Sequence, residues 1–118
     1  MKRFSVTALL ILFSFLFFSV SCKKRNQKME TLKELYKIFS NGEIDECSLN
    51  GKTVFTCGLN AFDAGSTIYD LNGNIIGNCD YAWGDVDAVC NQMSSCKTVY
   101  CVKDNIWGKS SVNKYHLK

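Results

Sequence analysis

Ser66-Thr67-Ile68-Tyr69-Asp70-Leu71-Asn72-Gly73-Asn74-Ile75-Ile76-Gly77-Asn78-Cys79 is the stretch on which the fold turns. Two apolar runs, 66–71 and 74–79, flank Asn72-Gly73, the pair best suited to the positive φ angles of a tight hairpin turn. Working outward, Asn50-Gly51 is a turn, and Lys52–Cys57 is rich in β-branched and aromatic residues, the composition of a strand. Gly58–Gly65 reads as a loop, and Tyr81-Ala82-Trp83-Gly84 as an aromatic loop. Asp85 then caps a predicted helix, with Val86, Val89, Cys90 and Met93 at i, i+3, i+4 and i+7. That spacing turns Cys90 inward, where a bridge to a strand cysteine would tie helix to sheet. Lys97–Lys103 is a last strand, with Val99 and Cys101 on one face and Thr98, Tyr100 and Val102 on the other. Bulky groups on both faces predict a central position.

On the amino-terminal side, Thr31-x-x-Glu34 is a capping box, and Leu32, Leu35, Tyr36 and Phe39 share one helical face. Asn41-Gly42 supplies the stop. The apolar stripe is only about two turns long, which favours packing on the domain over a membrane-lying or partner-binding helix. The order is helix, three strands, helix, strand. It predicts an α+β fold: a small disulfide-stabilised antiparallel sheet with one or two short helices packed on it. The sequence contains no proline, so its turns depend on Gly and Asn.

The first residues have another character. Met1-Lys2-Arg3 is a short basic region, and Phe4–Val20 is an apolar run relieved only by Ser5, Thr7, Ser14 and Ser19. This is the layout of a secretory signal, with small residues bracketing a cleavage point. The run ends in Ser19-Val20-Ser21-Cys22, followed by Lys23-Lys24-Arg25. That segment resembles bacterial lipoprotein leaders, in the looser form of Bacteroidota-like bacteria that often continues Cys-Lys-Lys. It has Ser19 where the usual pattern has Leu, and Ser21 where it has Gly or Ala. The resemblance implies removal of residues 1–21, a lipid on the Cys22 thiol and an acylated amino terminus. No acid occurs between Cys22 and Glu30, which by the same resemblance leans toward a periplasm-facing protein.

Two other readings stand beside it. At ~1.5 Å per residue, the run could cross most of a ~30 Å hydrocarbon core as an uncleaved anchor. The cations Lys23, Lys24, Arg25 and Lys28 beyond it resist export by the positive-inside rule. The third reading is plain secretion, with Cys22 an ordinary thiol. Under the lipoprotein reading the organisation is a signal peptide at 1–21, a polar tether at 22–30 and a single domain at 31–118. Gly51–Phe55 and Ser66–Ile76 also resemble stretches of small cysteine-containing lipoproteins of the same bacteria, a resemblance that carries no activity with it.

The formal net charge of +3 conceals an uneven distribution. Residues 2–28 hold six Lys/Arg and no acid, whereas residues 43–118 hold six Lys/Arg against nine Asp/Glu. The basic charge thus belongs to the leader and tether, where it can sit against anionic lipid headgroups. An acidic folded part excludes nucleic acid, which needs a basic face to displace counterions.

Six cysteines fall in the folded part: Cys47, Cys57, Cys79, Cys90, Cys96 and Cys101. An even number in a short exported domain predicts three disulfides, with lipidation accounting for Cys22. The absence of Cys-x-x-Cys argues against a zinc site or a thioredoxin-like redox motif. Asp70-Leu71-Asn72-Gly73-Asn74 hints at a calcium loop, but the Gly and Glu of that motif are replaced by Ile75 and Tyr81. No metal or other cofactor is expected. Catalysis is not expected either: the single histidine, His116, lies at the terminus, and Asp80, Asp85 and Asp87 read as helix-start carboxylates. A cleft joining Asp80, Asp85 and His116 would change that view.

The best binding candidates are Tyr81, Trp83 and Trp107. In a domain this small two tryptophans would ordinarily be much of the core. Exposed on one side, they would form a platform for a glycan or a partner protein. The expected function is therefore a lipid-anchored cell-envelope domain that binds a protein or glycan. The alternative is a small inhibitor of a protease or other envelope enzyme, presenting a loop such as Gly58–Gly65.

Overall fold

A computed structural model describes the backbone of residues 6–118 and the side chains from Cys22 onward. Lys2 and Arg3 of the leader lie outside the described residues, as do the side chains up to Ser21. Among the described residues no helix is long and apolar enough to cross a membrane.

Helix α1 (Val6–Phe39) is followed by β1 (Gly42–Leu49), β2 (Lys52–Leu59), β3 (Ser66–Tyr69), β4 (Ile75–Asp80) and β5 (Asp85–Val86). A 3₁₀ turn (Ala88–Asn91), β6 (Ser94–Cys101) and β7 (Val112–Asn113) complete the chain. Among the described residues the strands form one antiparallel sheet in the order β5-β4-β3-β2-β1-β6-β7. The architecture is one helix on a mostly β domain. The predicted hairpin is present: Ser66–Tyr69 pairs with Ile75–Cys79 around Asn72-Gly73. The Asp70 carboxylate accepts the backbone N–H groups of Asn72 and Asn74, so the supposed calcium loop is an ordinary hairpin turn.

Helix α1 lies on one face, and Leu32, Leu35 and Phe39 bury there against Ile44, Phe55, Tyr69 and Tyr100. Burial of one such side chain is worth about 1.5–3 kcal/mol. The exposed Lys37–Glu34 pair on the same helix is worth less than about 1 kcal/mol, so apolar packing decides where the helix sits. The predicted stripe is correct, but the predicted start is not. Thr31 is mid-helix, and its hydroxyl donates to the Leu71 carbonyl at 2.6 Å instead of capping. With helix preceding it, the N–H groups that a cap would satisfy already have carbonyl partners one turn back. The 22–30 tether is itself helical, continuous with the packed segment.

Strand β1 went unforeseen, although it is the most heavily paired strand, lying between β2 and β6. The helix predicted from Asp85 is a two-residue strand followed by a single 3₁₀ turn. Asp87 does not cap it, because its carboxylate accepts the Asn78 N–H at 2.7 Å. That turn covers the other face of the sheet, where Val54, Ile68, Cys47 and Cys79 form a smaller core with Val89, Cys90 and Met93 beside it. Gly77 makes room there: a Cβ at that position would stand 2.3 Å from Val89 Cγ1. In β6 the predicted alternation breaks at Val99. Tyr100 pairs with Ile44 and Thr98 with Asp45, leaving Val99 as a bulge, so Val99 and Tyr100 both enter the helix-side core.

Two disulfides form among the described residues, Cys47–Cys96 and Cys79–Cys90. The second joins the 3₁₀ turn to β4, as expected for Cys90. The expected third bridge is absent, and Cys57 and Cys101 are buried free thiols. Register is the reason. Cys57 stands opposite Ile44 and Cys101 opposite Glu43, successive residues of β1 whose side chains point to opposite faces. Strand β1 also separates them by two strand spacings, about 9–10 Å, beyond the ~7 Å Cα limit of a disulfide.

Candidate functional site

The strands give the domain two ends. At one, α1 stops and β1 begins, and the segments 60–65, 81–84 and 102–111 rise around the ends of β2, β4 and β6. At the other end lie the 50–51 and 71–74 turns and the turn of α1 that follows Cys22. An eight-residue strand, about 26 Å long, separates them.

At the first end, on the face away from α1, these segments enclose a cleft of about 400 Å³. Its floor carries Glu43 and Asp45 of β1, two residues apart and therefore on the same face, with Thr56 of β2 beside them. Its walls carry Phe62, Tyr81, Ile106 and Trp107. Phe62 is 82% exposed, Tyr81 65% and Trp107 37%. Asn60 fixes one wall to the next, its Oδ1 accepting the Ile106 N–H at 2.8 Å and its own N–H donating to the Asn41 carbonyl.

The floor is electrostatically uneven. Glu43 is buried; it accepts a hydrogen bond from the Thr98 hydroxyl at 3.0 Å and pairs with Lys109 Nζ. Lys109 also lies 6.0 Å from the centre of the Trp107 ring, so an ammonium group stands between a carboxylate and an aromatic face that both line the cleft. Burial alone would lower the Lys109 pKa, but Glu43 more than offsets it and the amine is held above its ordinary value. Asp45 differs. Burial above all, and the neighbouring Glu43 carboxylate, push its carboxyl above the usual range, and its Oδ1 is buried without a hydrogen-bond partner. The cleft therefore has an acidic floor, with one buried carboxyl oxygen left without a hydrogen-bond partner, ringed by aromatic faces suited to stacking.

Of the sequence candidates, Tyr81 and Trp107 come together here. Trp83 does not line the cleft: it is 78% exposed on the 81–84 turn, where its backbone N–H donates to Asp80. Neither tryptophan belongs to the core. Asp80 lines the cleft, Asp85 accepts from the Asn78 amide, and His116 lies at the far end beside Lys24 and Lys114. The carboxylates and the histidine are thus not gathered into one site. Among the described residues no group of three or more His, Cys, Asp or Glu side chains is placed to hold a metal. Cys22 is an exposed free thiol on α1, at the end opposite the cleft.

Glu43, Asp45, Phe62 and Lys109 were missed in the sequence. The available signal was the alternation Glu43-Ile44-Asp45 ahead of Asn50-Gly51, which marks a strand carrying two acids on one face. Comparison with known proteins finds no family model, curated relative or solved structure that matches the chain.

Proposed function

We propose that this chain is a non-catalytic protein of the bacterial cell envelope, lipid-anchored at Cys22 and periplasm-facing, that binds a glycan or protein ligand in the aromatic-walled cleft. The observation that carries the reading is the union of Tyr81, Trp107 and Phe62 around the acidic floor of Glu43 and Asp45. Exposed aromatic side chains at the mouth of a concave site supply stacking area at low entropic cost. The acidic floor of Glu43 and Asp45 supplies selectivity for a ligand with an N–H or O–H donor. The distance of the cleft from Cys22 supports the reading too, since an anchored domain must present its site away from the bilayer.

The test is to place a photo-crosslinking amino acid at Tyr81 or at Lys33 of the full-length protein in growing cells, and to titrate the purified protein with cell-wall glycan fragments while following tryptophan fluorescence. The reading expects a discrete crosslinked partner from position 81 but not 33, or a saturable fluorescence change abolished by Trp107→Ala. The absence of both a crosslink and a fluorescence change would overturn it.

A second reading, an inhibitor of a protease or other envelope enzyme, draws on Phe62, which projects from the 60–65 loop. This loop is held by Asn60, not by a disulfide, since the neighbouring Cys57 is a free thiol. It predicts that Phe62→Ala abolishes inhibition of the target while Trp107→Ala leaves it unchanged.

A further inference from the structure

The end of the domain opposite the cleft is basic, although the folded part as a whole is acidic. A groove of about 660 Å³ runs between α1 and the carboxy-terminal segment, with Lys24, Arg25, Lys28, Lys114 and His116 along it. A second groove of about 610 Å³, which shares Lys24, adds Lys52 from the start of β2. Of these cations Lys28 is engaged with Glu46 and Lys114 Nζ lies 5.3 Å from the centre of the Tyr115 ring, while Lys24, Arg25, Lys52 and Lys114 are all exposed to solvent. The one carboxylate on the rim, Asp70, is occupied by the backbone N–H groups of its own turn. Three chain segments far apart in sequence thus contribute free positive charge to one end, and Cys22 lies two residues from Lys24.

We infer that this end is a docking surface for anionic phospholipid headgroups, which holds the domain at a fixed attitude on the membrane with its cleft facing outward. The inference rests on the anchor at Cys22, because the anchor decides which partner meets this surface. From Cys22 to Met29, where α1 packs on the core, the helix rises only about 10 Å. The anchored domain therefore cannot stand clear of the headgroups, and the end that meets them is the one carrying Lys24, Arg25, Lys52 and Lys114. Each such cation near an anionic surface is worth about a fivefold factor in occupancy.

The experiment uses the full-length protein isolated from bacterial membranes and reconstituted into vesicles of phosphatidylcholine alone or with phosphatidylglycerol, and reads amide hydrogen exchange. Docking slows exchange at residues 50–53 and 114–118 by about fivefold or more on the anionic vesicles only, and the triple variant Lys24→Gln, Arg25→Gln, Lys114→Gln loses that protection. All three side chains are exposed, and exchange in the core strands of the variant checks that it folds. Equal exchange on both vesicles, with the protein still vesicle-bound, overturns the docking surface while sparing the anchor, and passes the patch to a soluble acidic partner. Protein that associates with neither vesicle overturns both.

Discussion

Lys28 Nζ lies 2.6 Å from Glu46 Oε1 and 5.0 Å from the centre of the Tyr115 ring. Tyr115 in turn donates its hydroxyl to the other oxygen of Glu46 at 3.0 Å. One turn of the tether is thereby fastened to strand β1 and to the carboxy-terminal segment at once. Burial alone would lower the Lys28 pKa, but the bonds to Glu46 and Tyr115 more than offset it and raise the amine above 10.5. A raised lysine stabilises fully below its unfolded pKa and loses that contribution as pH rises through the folded one. Glu46→Gln is expected to cost about 1 kcal/mol at neutral pH, with the deficit closing only above pH 10.5. Urea titrations of both proteins at pH 7 and pH 11 check this.

The two disulfides should differ in worth. Cys47–Cys96 closes a separation of 49 residues and Cys79–Cys90 one of 11. Chain entropy assigns them about 4 and about 3 kcal/mol respectively. Replacing the first pair with alanine should therefore lower the denaturation midpoint more than replacing the second.

Cys57 and Cys101 should be silent in the folded state. Both are 1% exposed, and burial raises both thiols, so little thiolate forms near neutral pH. Alkylation without reductant is expected to leave both unlabelled in the native domain. After denaturation in urea, still without reductant, mass spectrometry should find two further labels. No labels there would mean a third bridge.

Asp45 should be kept at the expense of stability. Its carboxyl is raised above 3.8 by burial and by Glu43, so the folded state holds the proton more tightly. Stability from this group is complete below the unfolded carboxylate pKa and falls as pH climbs through the folded value. Asp45→Asn is thus expected to melt higher than wild type at pH 7, with the gain fading toward pH 3, and to bind ligand more weakly. A variant less stable at pH 7 would mean that the carboxylate has a partner in the fold.

The hairpin at Asn72-Gly73 and the apolar face of Leu32, Leu35 and Phe39 were legible because each is a local pattern, whereas the bridge of Cys90 to a strand was expected from a helical spacing that the 3₁₀ turn does not have. Strand β1 was obscured by its own composition. Glu43, Asp45 and Glu46 interrupt its apolar residues, and a strand bearing a polar cleft on one face does not read as a buried one. The Thr31 cap misled because a capping box marks a helix start only when no helix precedes it. The Val99 bulge inverted the reading of Cys101, since one extra residue moves every later side chain to the other face. Tyr81 and Trp107 were identifiable as aromatic candidates, but their meeting over Glu43 and Asp45 depends on register between strands that no single segment encodes.

The most direct test of the account is the position of the two tryptophans relative to the bilayer. Trp83 and Trp107 are the protein's only tryptophans, and both stand at the cleft end, away from Cys22. In the full-length protein reconstituted into vesicles, their fluorescence should be quenched by aqueous acrylamide and unaffected by spin-labelled headgroups. Strong quenching by the lipid-borne label would bring the cleft to the membrane and contradict the account.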